Sequence, residues 1–139
     1  MSDTNLSGIH HVTLNVRDLG RSVQWYSDVL DFSVVFELNT DGFERRIMRH
    51  PSGVLIGLTK HRHADADAEF SERRTGLDHV AFAVDTMAEL EAWVARLTGA
   101  GVTHSGIKVT PVGFTLIAFR DPDDIQLELY LAQAPRPAQ

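Results

Sequence analysis

The stretch Gly8-Ile9-His10-His11-Val12-Thr13-Leu14-Asn15-Val16 is answered 68 residues later by Gly76-Leu77-Asp78-His79-Val80-Ala81-Phe82-Ala83-Val84. At that offset His11 falls on His79, Val12 on Val80, Val16 on Val84 and, further along, Trp25 on Trp93. A chain that says the same thing twice is constrained to fold as two similar units, and a histidine at the matching point of each suggests a shared site.

Each copy starts as a strand. Alternation over Ile9 to Val16 puts Ile9, His11, Thr13 and Asn15 on one face and His10, Val12, Leu14 and Val16 on the other, core-facing side. Asp18 offers an N-cap, and Val23, Tyr26, Val29 and Leu30 recur at helical spacing, which predicts a helix over Leu19 to Leu30 in which Trp25 and Tyr26 pack. Strands are expected at Phe32 to Leu38, Phe43 to Arg49 and Val54 to Thr59, separated by the turns Asn39-Thr40-Asp41-Gly42 and Pro51-Ser52-Gly53. The charged stretch Lys60 to Thr75 reads as an exposed connector.

The second copy repeats the order. A strand from Leu77 to Val84 leads to a helix signposted by Thr86 and Glu89 at capping-box spacing, with Leu90, Trp93, Val94 and Leu97 on one face and Gly99 and Gly101 at its end. Strands are expected near Val102 to His104, Phe114 to Phe119 and Ile125 to Leu131, the last two joined by Asp121-Pro122-Asp123-Asp124. The fold class is therefore α+β: two tandem βαβββ modules, over 8–59 and 76–131, joined by the 60–75 connector. They are expected to pair into a concave, partly closed mixed sheet, because so small a half-sheet cannot bury both faces alone. At 139 residues the whole is expected to be one domain, with a frayed tail over 132–139.

Composition removes several functions. Thirteen basic against nineteen acidic residues, net charge -6, leave no basic stripe for nucleic acid. No apolar run suits a membrane helix, and the first residues carry neither basic flank nor apolar signal core, so a cytoplasmic protein is expected. Without cysteine, any metal must sit on His, Asp or Glu.

In the last strand Gln126, Glu128 and Tyr130 alternate against Leu127, Leu129 and Leu131, so Glu128 points away from the apolar trio. If the two halves close around a cavity, His11, His79 and Glu128 converge there. Two neutral imidazoles and a carboxylate suit Fe(II) or Mn(II) first and Zn(II) or Ni(II) next, and three protein ligands leave positions for water, substrate or dioxygen.

Over about residues 8 to 131 the chain resembles the vicinal oxygen chelate superfamily, which includes glyoxalase I, extradiol dioxygenases, methylmalonyl-CoA epimerase, fosfomycin-modifying enzymes and bleomycin-binding proteins. The stretches that carry the resemblance are His11 to Leu19, Ser22 to Leu30, Asp78 to Phe82, Phe119-Arg120-Asp121-Pro122-Asp123 and Leu127-Glu128-Leu129. It implies metal ligands from the first and last strand of each unit, hence His11, His79 and Glu128. The fourth such position is Gly57, where glyoxalase I and the epimerase have a ligand side chain, so this chain looks like the three-ligand members. Asn15 stands where glyoxalase I has a glutathione-clamping arginine. Ala118 stands where extradiol enzymes have a tyrosine, and Val109-Thr110-Pro111 where they have a histidine. Asp124 replaces the usual turn glycine and is expected to adopt a left-handed conformation.

The function implied is a metal-dependent, dioxygenase-like enzyme that chelates a small vicinal-oxygen substrate. The alternatives are a bleomycin-resistance-like sequestering protein, and a non-redox lyase or isomerase of the glyoxalase or epimerase type. Related chains often form homodimers, which is the assembly expected here. Thr13, which shares the parity of His11, is a candidate to contact a metal-bound ligand, and His50 and His104 are candidates for the acid-base work. The plainer readings are a cavity wall for Thr13, a structural role for His10, a solvated loop for His61-Arg62-His63 beside Asp65 and Asp67, and an edge strand's solvent face for Arg45, Arg46 and Arg49. The fosfomycin-modifying members imply a phosphonate pocket of cationic side chains, for which Lys108 and Arg120 are the candidates.

Overall fold

The βαβββ order occurs twice in the computed structural model, which describes residues 3–64 and 69–132; Asp65, Asp67 and nearly all of the expected tail lie outside them. The chain divides into two compact units, residues 1–68 and 69–139. The first contains β1 (Val12–Asn15), α1 (Leu19–Leu30), β2 (Ser33–Asn39), β3 (Phe43–Arg49) and β4 (Leu55–His61). The second contains β5 (Val80–Val84), α2 (Met87–Gly99), β6 (Lys108–Val109), β7 (Thr115–Arg120) and β8 (Gln126–Leu131). Each forms a four-stranded mixed sheet, ordered β1-β4-β3-β2 and β5-β8-β7-β6, with the first strand parallel to the last and the remaining neighbours antiparallel.

The repeat reaches the backbone. Gly8 and Gly76 both adopt positive φ, 145° and 138°, a conformation only glycine takes easily, and each launches the chain toward its histidine. Asp18 caps α1 by accepting the Arg21 N–H at 3.0 Å, and Asp31 closes the helix in the left-handed conformation. Thr86 caps α2 by accepting the Glu89 N–H at 3.1 Å, while the Glu89 carboxylate reaches back to the N–H of Asp85. In the first unit Leu14, Tyr26, Met48, Ile56 and Leu58 are buried between α1 and its sheet; in the second, Leu90, Leu97, Ile117, Leu127 and Leu129 do the same work. Burying each such side chain is worth about 1.5–3 kcal/mol.

Three expectations need correction. The histidines are not strand residues: His11 and His79 each stand one residue before β1 and β5. Strand β4 runs past Thr59 to His61, so His61 belongs to the sheet and not to a solvated connector. The edge strand of the second unit is not Val102 to His104. The Val102 N–H bonds back to the Leu97 carbonyl at the end of α2, His104 makes only an isolated bridge to Phe119, and Gly106 at φ 70° turns the chain before Lys108 and Val109 pair with β7. Asp124 is left-handed as expected, φ 65°, in a turn where Asp121 Oδ1 accepts the N–H of both Asp123 and Ile125 at 2.9 Å.

Candidate metal centre

The second unit brings two of the three expected ligands together. On the face of its sheet away from α2, the register sets Glu128 on β8 between Ala81 of β5 and Ala118 of β7. Continuing that alternation back one step from β5 puts His79 on the same face. Its Nε2 lies 3.1 Å from Glu128 Oε2, and its Nδ1 lies 2.7 Å from Asp78 Oδ1.

The details of that contact are informative. At 3.1 Å a hydrogen bond would be expected, yet Glu128 Oε2 has no hydrogen-bond partner although the residue is only 8% exposed. Asp78 can only accept, so it selects the tautomer with the proton on Nδ1, and the lone pair of Nε2 then faces a carboxylate oxygen. Two lone pairs facing each other, one on a buried carboxylate and one on an imidazole whose side chain is 36% exposed, repel, and a shared cation relieves the repulsion. Two donors about 2.0–2.2 Å from one ion at angles of about 90–110° lie about 3.0–3.5 Å apart, so the pair fits a divalent metal. An orienting carboxylate behind a ligating imidazole is the usual outer support of such a site.

In the first unit His11 is exposed, and its Nδ1 lies 2.7 Å from Nδ1 of His10, the rings meeting edge to face with centroids 5.0 Å apart. This contact engages Nδ1 and directs Nε2 as the available nitrogen. His10 thus meets His11 at the ring nitrogen that Asp78 meets on His79, although an imidazole, unlike a carboxylate, can donate as well as accept. Among the described residues no cluster of three or more metal-ligating side chains forms; the second unit joins His79 to Glu128. Thr13 faces Gly57 across β1 and β4, and a Cβ built on Gly57 would lie 2.6 Å from Thr13 Oγ1 and 3.0 Å from its Cγ2. The fourth position is thus filled by a neighbour's side chain, and no larger residue fits there without moving Thr13.

The remaining candidates have other tasks. His50 Nδ1 accepts the Ser52 N–H at 3.0 Å, and the ring packs 5.5 Å from Phe32, which closes the turn before β4. His104 has both nitrogens engaged, Nε2 with Thr98 Oγ1 at 2.8 Å and Nδ1 with the Gly106 N–H at 3.0 Å, and so ties the end of α2 to the following loop. Arg120 pairs with Glu72 and donates to the Asp124 carbonyl at 2.9 Å. Hydrogen bonding to backbone, then to Arg120, holds the Glu72 carboxyl below its ordinary range. Tyr130, on the same face as Glu128, has its phenol raised by burial and then by the charge of Glu128.

Sequence reasoning missed Asp78 and His10 as orienting partners. The signal was available: at the repeat offset His10 falls on Asp78, immediately before each candidate ligand.

Two βαβββ units, each with a histidine just ahead of its first strand, define the class of protein. The chain belongs to the Glyoxalase/Bleomycin resistance protein/Dioxygenase superfamily, whose sequence profile matches residues 8–129. A solved glyoxylase/bleomycin resistance protein/dioxygenase domain from Frankia sp. EAN1pec is 36% identical, with a TM-score of 0.84, over 93% of this chain and 100% of that one. Metallothiol transferase FosB of Staphylococcus saprophyticus is 26% identical over 126 residues, 90% of this chain and 77% of that protein. The Escherichia coli protein YaeR is 29% identical over 135 residues, 90% of this chain and 96% of that protein.

Proposed function

We propose that the protein is a metal-dependent enzyme in which His11, His79 and Glu128 hold one divalent cation, Fe(II) or Mn(II) in preference to Zn(II) or Ni(II). The observation that carries this reading is the buried Glu128 oxygen, without a hydrogen bond and facing His79 Nε2. A cation held by these groups supplies Lewis-acid charge to neighbouring oxygens of a substrate. The chain's own residues do the rest. Asp78 and His10 fix which imidazole nitrogen is presented; Gly57, covered by Thr13, withholds a fourth ligand; and Ala81 and Ala118 keep the flanks of Glu128 low enough for a ligand to lie against it. Tyr130, whose raised phenol stays protonated at neutral pH, offers an O–H donor on the same face.

The favoured reaction is dioxygenase-like chemistry on a catechol-like or related oxygenated molecule, since three protein ligands leave room for a chelating substrate and a co-substrate. A second reading, metal-dependent transfer of a thiol to a small substrate, draws support from the similarity to metallothiol transferase FosB. A purely sequestering protein has no use for a buried carboxylate opposed to an imidazole. We place the protein in the cytoplasm as a homodimer; among the described residues no helix is long and apolar enough to cross a membrane.

The test is a panel assay on iron- and manganese-loaded protein, following oxygen uptake with catechols and thiol consumption with small epoxides. Oxygen uptake that disappears in Glu128→Ala supports the first reading. Thiol consumption without oxygen uptake replaces it with the second. Binding of the panel without turnover, by metal-free protein, contradicts both.

A further inference from the structure

On the face of the first sheet away from α1, side chains stand in cross-strand rows. Thr13, Gly57 and Ile47 form one row, Asn15, Thr59 and Arg45 the next, and His61 and Phe43 the next. In the middle row Arg45 is held from two sides. Its Nε donates to the Oγ1 of fully buried Thr59 at 2.8 Å, and its guanidinium carbon lies 4.4 Å over the centre of the Phe43 ring. Neither contact neutralises the charge or uses the terminal N–H groups. The neighbouring Arg46, by contrast, is paired with Glu37 at 3.5 Å and bonded to Asn39 at 2.8 Å. Among the described residues Arg45 has no carboxylate partner.

The other end of the row is set in a matching way. Asn15 Oδ1 lies 3.0 Å from His61 Nε2, and the His61 ring in turn packs 5.9 Å from Phe43. With its oxygen engaged, the Asn15 amide presents N–H donors. A half-buried arginine whose rotamer is fixed by a hydroxyl and an aromatic face, with its fork left open, is arranged to bind an oxyanion; β3 lies between β4 and β2 and is not the solvated edge strand expected for Arg45, Arg46 and Arg49.

We infer that Arg45, assisted by Asn15, forms a subsite for an anionic oxygen group of the substrate, a carboxylate or a phosphate-type group, remote from the chelated end. His11 precedes Asn15 by four residues, about 13 Å along an extended strand, so the group bound at Arg45 is not the one chelated beside His11. The substrate is therefore elongated, with its chelating oxygens at one end and its charge at the other. As a statement about substrate this rests on the metal reading above; as an anion site it stands on the first unit alone.

Titration of the 15N-labelled full-length chain with inorganic phosphate, and separately with acetate, tests it through the Arg45 Nε–H resonance and, in every variant, through the backbone N–H resonances of Asn15 and residue 59. A saturable shift with either anion is expected, the tighter one naming the group. Arg45→Met should weaken binding about tenfold or more, as loss of a charge-assisted bond does. Thr59→Val keeps the charge but frees the Nε, and should weaken binding several-fold with the backbone spectrum preserved. His79→Ala should lose metal and keep the anion response, which separates failure of this subsite from failure of the metal centre. No saturable shift with either anion, equal affinity in Arg45→Met, or loss of the response in His79→Ala would overturn the proposal.

Discussion

Gly57 shows how closely one residue can be covered by its neighbour across a sheet. Thr13 occupies the space above it so closely that a methyl group would meet Oγ1 at 2.6 Å. Gly57→Ala is expected to destabilise the protein by about 1–3 kcal/mol, the usual cost of overpacking, and Thr13→Ala in the same background should recover most of that loss by removing the two nearest atoms. Chemical denaturation of the two single variants and the double variant gives the answer; additive losses would mean that Thr13 is not the obstacle. On the proposed metal reading Asp78 acts through His79, whose Nδ1 it meets at 2.7 Å, and is a positioning residue. Asp78→Ala should leave the fold intact and weaken metal binding about 10- to 100-fold, whereas Asp78→Glu, which restores a carboxylate, should recover part of it. Competition against a metal indicator reads both, and unchanged affinity in Asp78→Ala would show that the imidazole needs no such support.

At the level of elements, the turn between β7 and β8 is fastened by a single carboxylate. Asp121 Oδ1 accepts two backbone N–H groups while buried, so Asp121→Ala leaves both unsatisfied and is expected to cost about 1–3 kcal/mol. A thermal melt that does not fall would contradict this. Arg120, at the entrance to the same turn, gives a pH-dependent counterpart. Because the folded Glu72 carboxyl titrates below its ordinary value, the stabilisation it brings is complete above the unfolded value and is lost as pH falls through the folded one. In Arg120→Met the Glu72 carboxyl resonance should titrate at higher pH than in the wild type, although still lowered by its backbone bonds. An unmoved midpoint would remove Arg120 from the explanation.

Across the whole molecule, the sequence is most legible where local signals and packing agree. The helix over Leu19 to Leu30 and the strand over Phe43 to Arg49 have the predicted limits, because caps, turns and periodicity mark both ends. The edge of the second sheet was misplaced because Val102-Thr103-His104 has strand-forming residues, while the hydrogen bond that decides its fate comes from the end of α2. The same division applies to the site. Repeat and alternation point to His79 and Glu128 on one face, and they meet there. That Asp78 fixes the tautomer, that Thr13 covers Gly57, and that Thr59 and Phe43 aim Arg45 are matters of side-chain direction between neighbouring strands, which one-dimensional spacing does not encode.

The measurement that bears most directly on the metal centre is the metal content of untagged protein after exposure to Fe(II), Mn(II), Zn(II) or Ni(II) and exhaustive dialysis, compared among wild type, His11→Ala, His79→Ala and Glu128→Ala. About one divalent ion per wild-type chain is expected, with most of it lost from each variant, because removing any ligand of a three-ligand site leaves too few donors to retain the ion. Full occupancy in the His79 and Glu128 variants, or no metal in the wild type with any of the four ions, would contradict the account.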